Sequence, residues 1–310
     1  MAAHASISHD GYAVLSRLLS RSEVRALRKP IRGLRATRAV GACERPNNTL
    51  VPLRWHDAPI VRVLNDEARV RRIRIASGGT DLRWISGYFS IKDPHSGPLW
   101  WHQDWWCWNH PVTRRVRAAQ VALLCYLDDT SVSTGALRLL PGSHLESTAI
   151  HAVLPGAHRG EAHRSEPGDP VGADQPGQVT LELRAGDAVL LDYRLLHGTH
   201  PNTAEHRRDC LILNFAPSWR RLPEDVRAHL IGGLALPNES EREGAVATLG
   251  DLLPRYEGVQ RDLVLVRDAP AEFRHARNPS TEPRSHRISN EGAAVPTILA
   301  APPGTTTVNA

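Results

Sequence analysis

The chain has 310 residues, 41% of them hydrophobic, enough to bury a substantial core in one large domain or one domain with an appendage, and disorder throughout is excluded. The formal net charge is +5, but Lys occurs only at Lys29 and Lys92 and acidic residues are mixed among the arginines, so no stripe of positive charge marks a nucleic-acid partner. No apolar run is long enough to cross a bilayer, the first thirty residues lack a secretory h-region, and Cys43, Cys107, Cys125 and Cys210 form no CxxC pair. The expectation is a cytoplasmic protein with reduced thiols, no membrane partner, and neither a zinc knuckle nor a disulfide framework.

Residues 9–33 read as an α/β entry segment: an apolar stretch, Tyr12–Leu15, then Ser22 as N-cap of a helix carrying Val24, Leu27 and Ile31. Trp55, Ile60, Val61 and Leu64 are spaced as on an amphipathic helix, and the densest basic stretch, residues 69–74 (RVRRIR), reads as a solvated helix or strand face. From about residue 85 the texture changes. Short β-branched and aromatic runs (WISGYFSI, PLWWHQDWW, RAAQVALLCYL, GALRLLP, VTLELRAGDAVLLDY, RDCLILNF) alternate with Gly, Pro and Asp turns. This pattern predicts a mainly β fold with flanking helices, an antiparallel sandwich or cupin-like jelly roll, with residues 1–84 packing on a core at 85–220. Residues 155–178 interrupt it without periodicity and predict a mobile loop or lid, residues 221–275 a helical extension, and residues 276–310 a disordered tail.

The chemistry-bearing signal is His102-Gln103-Asp104. Side chains two apart on a strand share a face, with Cα atoms about 6.5 Å apart, so this imidazole and carboxylate can meet at one metal. A second His, leaving the opposite side of the ion open, completes a facial set suited to Fe(II) that must also bind a cosubstrate and oxygen. His197, after the strand DAVLLDYRLL, is the choice, expected to reach across the barrel. Downstream follow Gly198, Thr199, Asn202 and, eleven residues after His197, Arg208, whose planar fork can clamp a dicarboxylate.

In the order DGYAVL, WHQD, TGALRLLPGSH, GD at Gly186 and Asp187, and HGTHPN with its trailing Arg, residues 9–219 resemble the phytanoyl-CoA dioxygenase family of Fe(II)/2-oxoglutarate dependent oxygenases. The resemblance implies a double-stranded β-helix, His102, Asp104 and His197 as iron ligands, and Arg208 gripping the distal carboxylate of 2-oxoglutarate with help from Thr199. Ser90 or Lys92, on the strand before the metal pair, could also contact the cosubstrate. Thr134 stands where the family usually has Asn, at a turn that does not touch the chemistry. The implied reaction consumes 2-oxoglutarate and O2, releases succinate and CO2, and hydroxylates or otherwise oxidises a small organic substrate, with a secondary metabolite favoured.

The other histidines read blandly: His200 as a loop residue, His144 of PGSH as a rim residue facing substrate, His110 and His206 as surface residues. Five of the eight tryptophans, Trp100, Trp101, Trp105, Trp106 and Trp108, surround the triplet. Alternation puts Trp100 and Trp106 on the face of His102 and Asp104 and Trp101 and Trp105 on the other; one set reads as core, while Trp106 and Trp108, on the ligand face, could wall a substrate pocket. The rival readings are a non-catalytic cupin-like metal-binding scaffold, favoured if a ligand or the Arg were missing, and a nucleic-acid demethylase, disfavoured by the diluted charge. Oligomeric state is not legible.

Overall fold

The predicted alternation of apolar runs with Gly, Pro and Asp turns is realised as antiparallel sheet in a computed structural model that describes residues 6–38, 44–45, 47–154 and 169–275. The entry segment gives β1 (Tyr12–Leu15), α1 (Arg21–Arg28), α2 (Ile31–Arg38), β2 (Glu44–Arg45), β3 (Asn48–Leu53), α3 (Ala58–Leu64) and α4 (Glu67–Ala76). Then come β4 (Arg83–Lys92), β5 (Leu99–His102), β6 (Val121–Tyr126), β7 (Leu137–Leu139), β8 (Val179–Leu181), β9 (Ala188–Asp192), β10 (His197–Thr199) and β11 (Arg208–Ala216). Two helices, α5 (Glu224–Leu230) and α6 (Arg242–Leu249), follow.

The strands form a seven-stranded sheet in the order β1-β9-β6-β11-β4-β3-β2 and a four-stranded sheet in the order β5-β10-β7-β8. The jelly-roll architecture is thus as predicted. Strands of the first 84 residues extend the large sheet directly: β1 pairs with β9 and β3 with β4. Alternation along the strands divides the core in two. Phe89, Leu123, Cys125, Leu211, Leu213 and Phe215 face outward against Leu27, Ile31, Ile60, Val63 and Ile73 of the covering helices. Leu124, Tyr126, Val189, Leu191 and Cys210 face inward against Leu137 and Leu139 of the small sheet. Burying such faces is the main favourable term, about 1.5–3 kcal/mol for each large apolar side chain.

Several local expectations are corrected. Ser20, not Ser22, caps α1, because Glu23 stands three residues on and completes a capping box: Glu23 N–H donates to Ser20 Oγ at 3.3 Å and Ser20 N–H to Glu23 Oε2 at 2.8 Å. Ile31 opens a second helix, since Pro30 has no N–H with which to continue the first. Trp55 lies ahead of α3, whose buried face is Pro59, Ile60, Val63 and Leu64. The basic run is not simply solvated: Arg69 of α4 is buried, ion-paired with Glu23, and donates to Leu18 O at 3.2 Å and Val63 O at 3.1 Å. Residues 155–168 and the tail from residue 276 lie outside the described residues, whereas 169–178 are described and tied down, with Trp101 Nε1 donating to Ala173 O at 2.7 Å. Among the described residues no helix is long and apolar enough to cross a membrane.

Candidate active site

β5 ends at His102, and β10, which pairs beside it, begins at His197, so the two histidines face each other in direct antiparallel register. His197 therefore comes from the neighbouring strand and not from across the barrel, and Asp104 lies in the segment just past β5 instead of on the strand. Gly198 permits the approach: a Cβ there would come within 2.7 Å of Leu99 O. Among the described residues one group of His, Cys, Asp or Glu can hold a metal ion: His102, Asp104 and His197, with ligand atoms all within 4.8 Å of one another.

The donors are oriented as a metal requires. His102 Nδ1 is 2.9 Å from Trp100 O and His197 Nδ1 is 3.0 Å from Leu195 O. Each ring spends its Nδ1–H on a carbonyl of its own chain and turns the Nε2 lone pair inward, the usual support for a ligating histidine. Both Nε2 atoms stand 3.7 Å from Asp104, one from each carboxylate oxygen. Two buried imidazoles and a partly open carboxylate on one side fit a facial iron site with free positions opposite.

Arg208 opens β11 on the inward face with Cys210, and pairs in register with Lys92 of β4. Its guanidinium lies 5.4 Å from the Tyr126 ring centre and donates to Gly135 O at 2.7 Å, while its Nε has no acceptor. Gly135 leads into β7, where Leu137 pairs with Thr199, so Arg208 bridges the large sheet to the one that carries His102 and His197. Lys92 is 0% exposed, its Nζ donating to Asn47 O at 3.2 Å and Gly97 O at 2.5 Å. Burial, with Arg208 and Arg138 nearby, pushes it down to about 7. A glycine is needed at 135, at φ +79°, because a Cβ would sit 2.6 Å from Lys92 Cδ. Neither cation has a carboxylate partner among the described residues, which is costly unless an anionic ligand supplies one.

The remaining predicted residues are also located. Thr199 shares the face of His197, and its Oγ1 accepts from Leu99 N at 3.3 Å instead of meeting Arg208. Ser90 faces inward opposite Cys210, its hydroxyl donating to Asn48 Oδ1 at 2.9 Å. Trp106 donates to Gln120 Oε1 at 2.9 Å and its ring lies 4.6 Å from that of His229; Trp108 packs 5.3 Å from Phe273. His144 is not on the rim: it is fully buried beneath Gly11 and Leu195, and burial pushes it down to about 4. His200 stays out of the triad, 2.9 Å from Thr180 Oγ1. His206 is exposed, whereas His110 caps a turn by accepting from Val112 N at 3.1 Å. A surface cleft of about 760 Å³, lined by Arg83, Trp219, Arg227 and Tyr256, shares no residue with the triad, and the buried donor set outweighs its size as a mark of chemistry.

Sequence reading missed the supports. Asp192 and Arg194 form a buried pair at 2.6 Å, and Arg194 also donates to Thr113 O and Arg115 O, both at 2.7 Å, fixing the turn that delivers His197. Burial alone would raise Asp192, but the Arg194 guanidinium holds it below the usual carboxylate range. Arg138 of β7 lies 4.9 Å over Trp101 and donates to Gly172 O and Asp174, both at 3.1 Å, holding residues 172–174 against the small sheet. The signal was present: charged residues inside the apolar runs VLLDYRLL and ALRLL.

The jelly roll and its inward His, Asp, His set define an Fe(II)/2-oxoglutarate type of oxygenase. The phytanoyl-CoA dioxygenase family model matches residues 7–210, and the chain belongs to that family. It is an Fe(II)/2-oxoglutarate dependent oxygenase that uses O2. The L-proline trans-4-hydroxylase of Streptomyces griseoviridis is 26% identical, the match covering 66% of this chain and 82% of that protein. The ectoine dioxygenase of Nocardia farcinica is also 26% identical, over 72% of this chain and 80% of its own. A probable alpha-ketoglutarate-dependent hypophosphite dioxygenase of Stutzerimonas stutzeri is 29% identical, but over only 44% of this chain and 46% of that protein. In fold the chain is similar to HygX of Streptomyces hygroscopicus, a structure with nickel, 2-oxoglutarate and hygromycin B bound, at TM-score 0.52 and 20% identity, covering 68% of this chain and 84% of that one.

Proposed function

We propose that this oxygenase hydroxylates a small organic molecule, a secondary metabolite, with Fe(II) held by His102, Asp104 and His197 and the distal carboxylate of 2-oxoglutarate held by Arg208. The carrying observation is that a facial donor set and a buried guanidinium without a carboxylate partner open into the same barrel interior. When bound, the iron with 2-oxoglutarate and O2 supplies the oxidation, in which the keto acid is decarboxylated to succinate and CO2 and a substrate C–H becomes C–OH.

The chain's own part is geometry and charge. His102 and His197 keep the tautomer that turns the Nε2 lone pair toward the metal position, because both Nδ1–H groups are committed to carbonyls. Arg208 offers a planar fork to a carboxylate, while Lys92 adds a second buried positive charge opposite it and Ser90 and Thr199 bring hydroxyls to the same interior. Tyr126 under the guanidinium keeps that end dry, which strengthens the pairing. Trp106 and Trp108, two and four residues beyond Asp104, are suited to wall the substrate side. That the relatives act on molecules as small as L-proline and ectoine supports a small substrate here.

The test is anaerobic titration of the protein with Fe(II) and then 2-oxoglutarate, followed by the weak visible charge-transfer band. The band is expected with unaltered protein and not with His197→Ala. Its absence from intact, folded wild-type protein would favour the non-catalytic scaffold.

A further inference from the structure

After α6 the chain runs without regular structure over residues 253–275 and is stitched back to the stretch that carries Asp104. Trp108 N–H donates to Val266 O at 2.9 Å and Val266 N–H to Trp106 O at 3.0 Å, a parallel bridge centred on Cys107 and Val266. Farther on, Ser147 N–H donates to Phe273 O at 2.9 Å. In such a ladder successive residues point to opposite sides, so Arg267 falls on the side of Trp106 and Trp108, away from Val266 and Cys107.

Arg267 is half-buried and makes no hydrogen bond or ion pair with any described residue. The structural arginines of this protein behave differently: Arg69, Arg138 and Arg194 each meet a carboxylate. Arg267 follows Val266, which is bridged to Cys107, three residues beyond Asp104. Tyr193, whose backbone carbonyl accepts from Trp105 N at 2.9 Å, lies within charge range of both Arg267 and Asp104, and Tyr88 of β4 is in range as well. Beside it Trp108 Nε1–H is buried without an acceptor. A partnerless guanidinium and an orphaned indole donor thus sit on one side of one ladder, two to four residues from a metal-facing carboxylate.

We infer that Arg267 and the Trp108 indole form a binding site for a carboxylate group of the substrate, so that the substrate class is carboxylic acids. This rests on the active-site reading above. Arg208 already has its anion in the cosubstrate on that reading, and Arg267 is on a different element, so the two carboxylates do not compete. A planar fork pairs with a carboxylate through two parallel bonds, which fixes both the position and the orientation of the molecule whose C–H must face the metal.

The experiment uses the Fe(II) and 2-oxoglutarate loaded protein, kept anaerobic, and its visible band, which shifts when a substrate binds beside the metal. The probes are L-amino acids, 2-hydroxy acids and aromatic carboxylic acids, each tested next to its own primary amide. At least one acid should shift the band, and its amide should bind about tenfold or more weakly, as expected for loss of a charge-assisted pair. Arg267→Gln should weaken the acid to the level of the amide, with Arg267→Lys between, while the 2-oxoglutarate dissociation constant moves by less than about twofold. Equal binding of acid and amide, an unchanged Arg267→Gln protein, or no acid that binds the loaded wild type would each overturn the assignment. Failure of the band itself to form would instead overturn the cosubstrate reading beneath it.

Discussion

The side-chain amide of Gln103 donates to the backbone carbonyl of Arg194, tying the residue between His102 and Asp104 to the turn that ends at His197. Trp105 N–H adds a bond to Tyr193 O at 2.9 Å on the same seam. The three metal-facing side chains come from two stretches far apart in sequence, and this seam fixes their separation. Gln103→Ala leaves a buried carbonyl without its donor, at a cost of about 1–3 kcal/mol. Supports of this kind typically change metal affinity by about 10–100-fold. Titration with Co(II) or Fe(II) should therefore show weaker binding by Gln103→Ala while the fold, followed by circular dichroism, persists. Unchanged metal affinity would mean that the Asp192 and Arg194 pair alone positions His197.

The legible part of this seam was its metal face, not its back. HxD and HGT carry residue types that only a few chemistries need, and their proximity was legible, although Asp104 meets His102 from the segment past β5 and not by strand alternation. Gln103 and Arg194 use ordinary side chains to bond backbone carbonyls 91, 81 and 79 positions away in sequence, and no periodicity announces such contacts. The same holds for Ser20: its capping box was readable from Glu23, yet an equally good cap residue two positions later competed with it. His144 was misjudged because PGSH reads as a turn, and turns are usually exposed; here the β1 segment covers it. Strand order across the two sheets was likewise not legible, since loop length does not say which strands pair.

Lys92 predicts a pH dependence of cosubstrate binding. Its ammonium is pushed down to about 7 by burial and by the charges of Arg208 and Arg138, so it is charged below that pH and neutral above it. An anion binds the charged form better; affinity for 2-oxoglutarate should fall as pH rises through about 7 and level off where Arg208 acts alone. The ligand-free protein has the opposite slope. Between about 7 and the ordinary value of 10.5 the unfolded chain holds a proton that the folded one has lost, so this group's penalty is full below pH 7 and is relieved as pH rises through that window. Lys92→Met should flatten the binding profile between pH 7 and 9. A profile that keeps its slope in this variant would assign it to another group.

Asp104 predicts the reaction outcome. Its carboxylate spans both imidazoles at 3.7 Å, and as an iron ligand it would take the position that a halide needs. Unaltered protein supplied with chloride and a substrate should give hydroxylated and no chlorinated product, and Asp104→Ala should lose hydroxylation. Chlorination by the unaltered protein, detected by mass spectrometry from its isotope pattern, would remove Asp104 from the ligand set.

Arg207 and Arg208 provide the sharpest test of the strand register. Being adjacent, they point to opposite faces of the strand that they begin, and only one can enter the barrel. Arg208 shares its face with Cys210, which belongs to the core between the sheets; the alternate residues Leu211, Leu213 and Phe215 pack outward under the helices. Arg207 is 33% exposed at its side chain and pairs at 3.1 Å with the buried Asp209, so its charge already has a carboxylate partner and makes no call on a ligand. Arg208 is 3% exposed and has an Nε without an acceptor. Removing a buried cation from its carboxylate typically costs about 2–5 kcal/mol, largely because the partner charge is left unpaired. Taking the low end, at about 1.4 kcal/mol per tenfold, Arg208→Ala should weaken 2-oxoglutarate binding by roughly thirtyfold or more. Arg208→Lys should recover only part of this, since an ammonium offers a point charge and not a fork. Arg207→Ala should change the dissociation constant by less than about twofold, because Arg207 pairs with Asp209 on the face turned away from the barrel interior. Both constants come from anaerobic titration of the Fe(II)-loaded proteins. If Arg207→Ala were the more damaging, β11 would be shifted by one residue, and Cys210 and Ile212 would then face the helices.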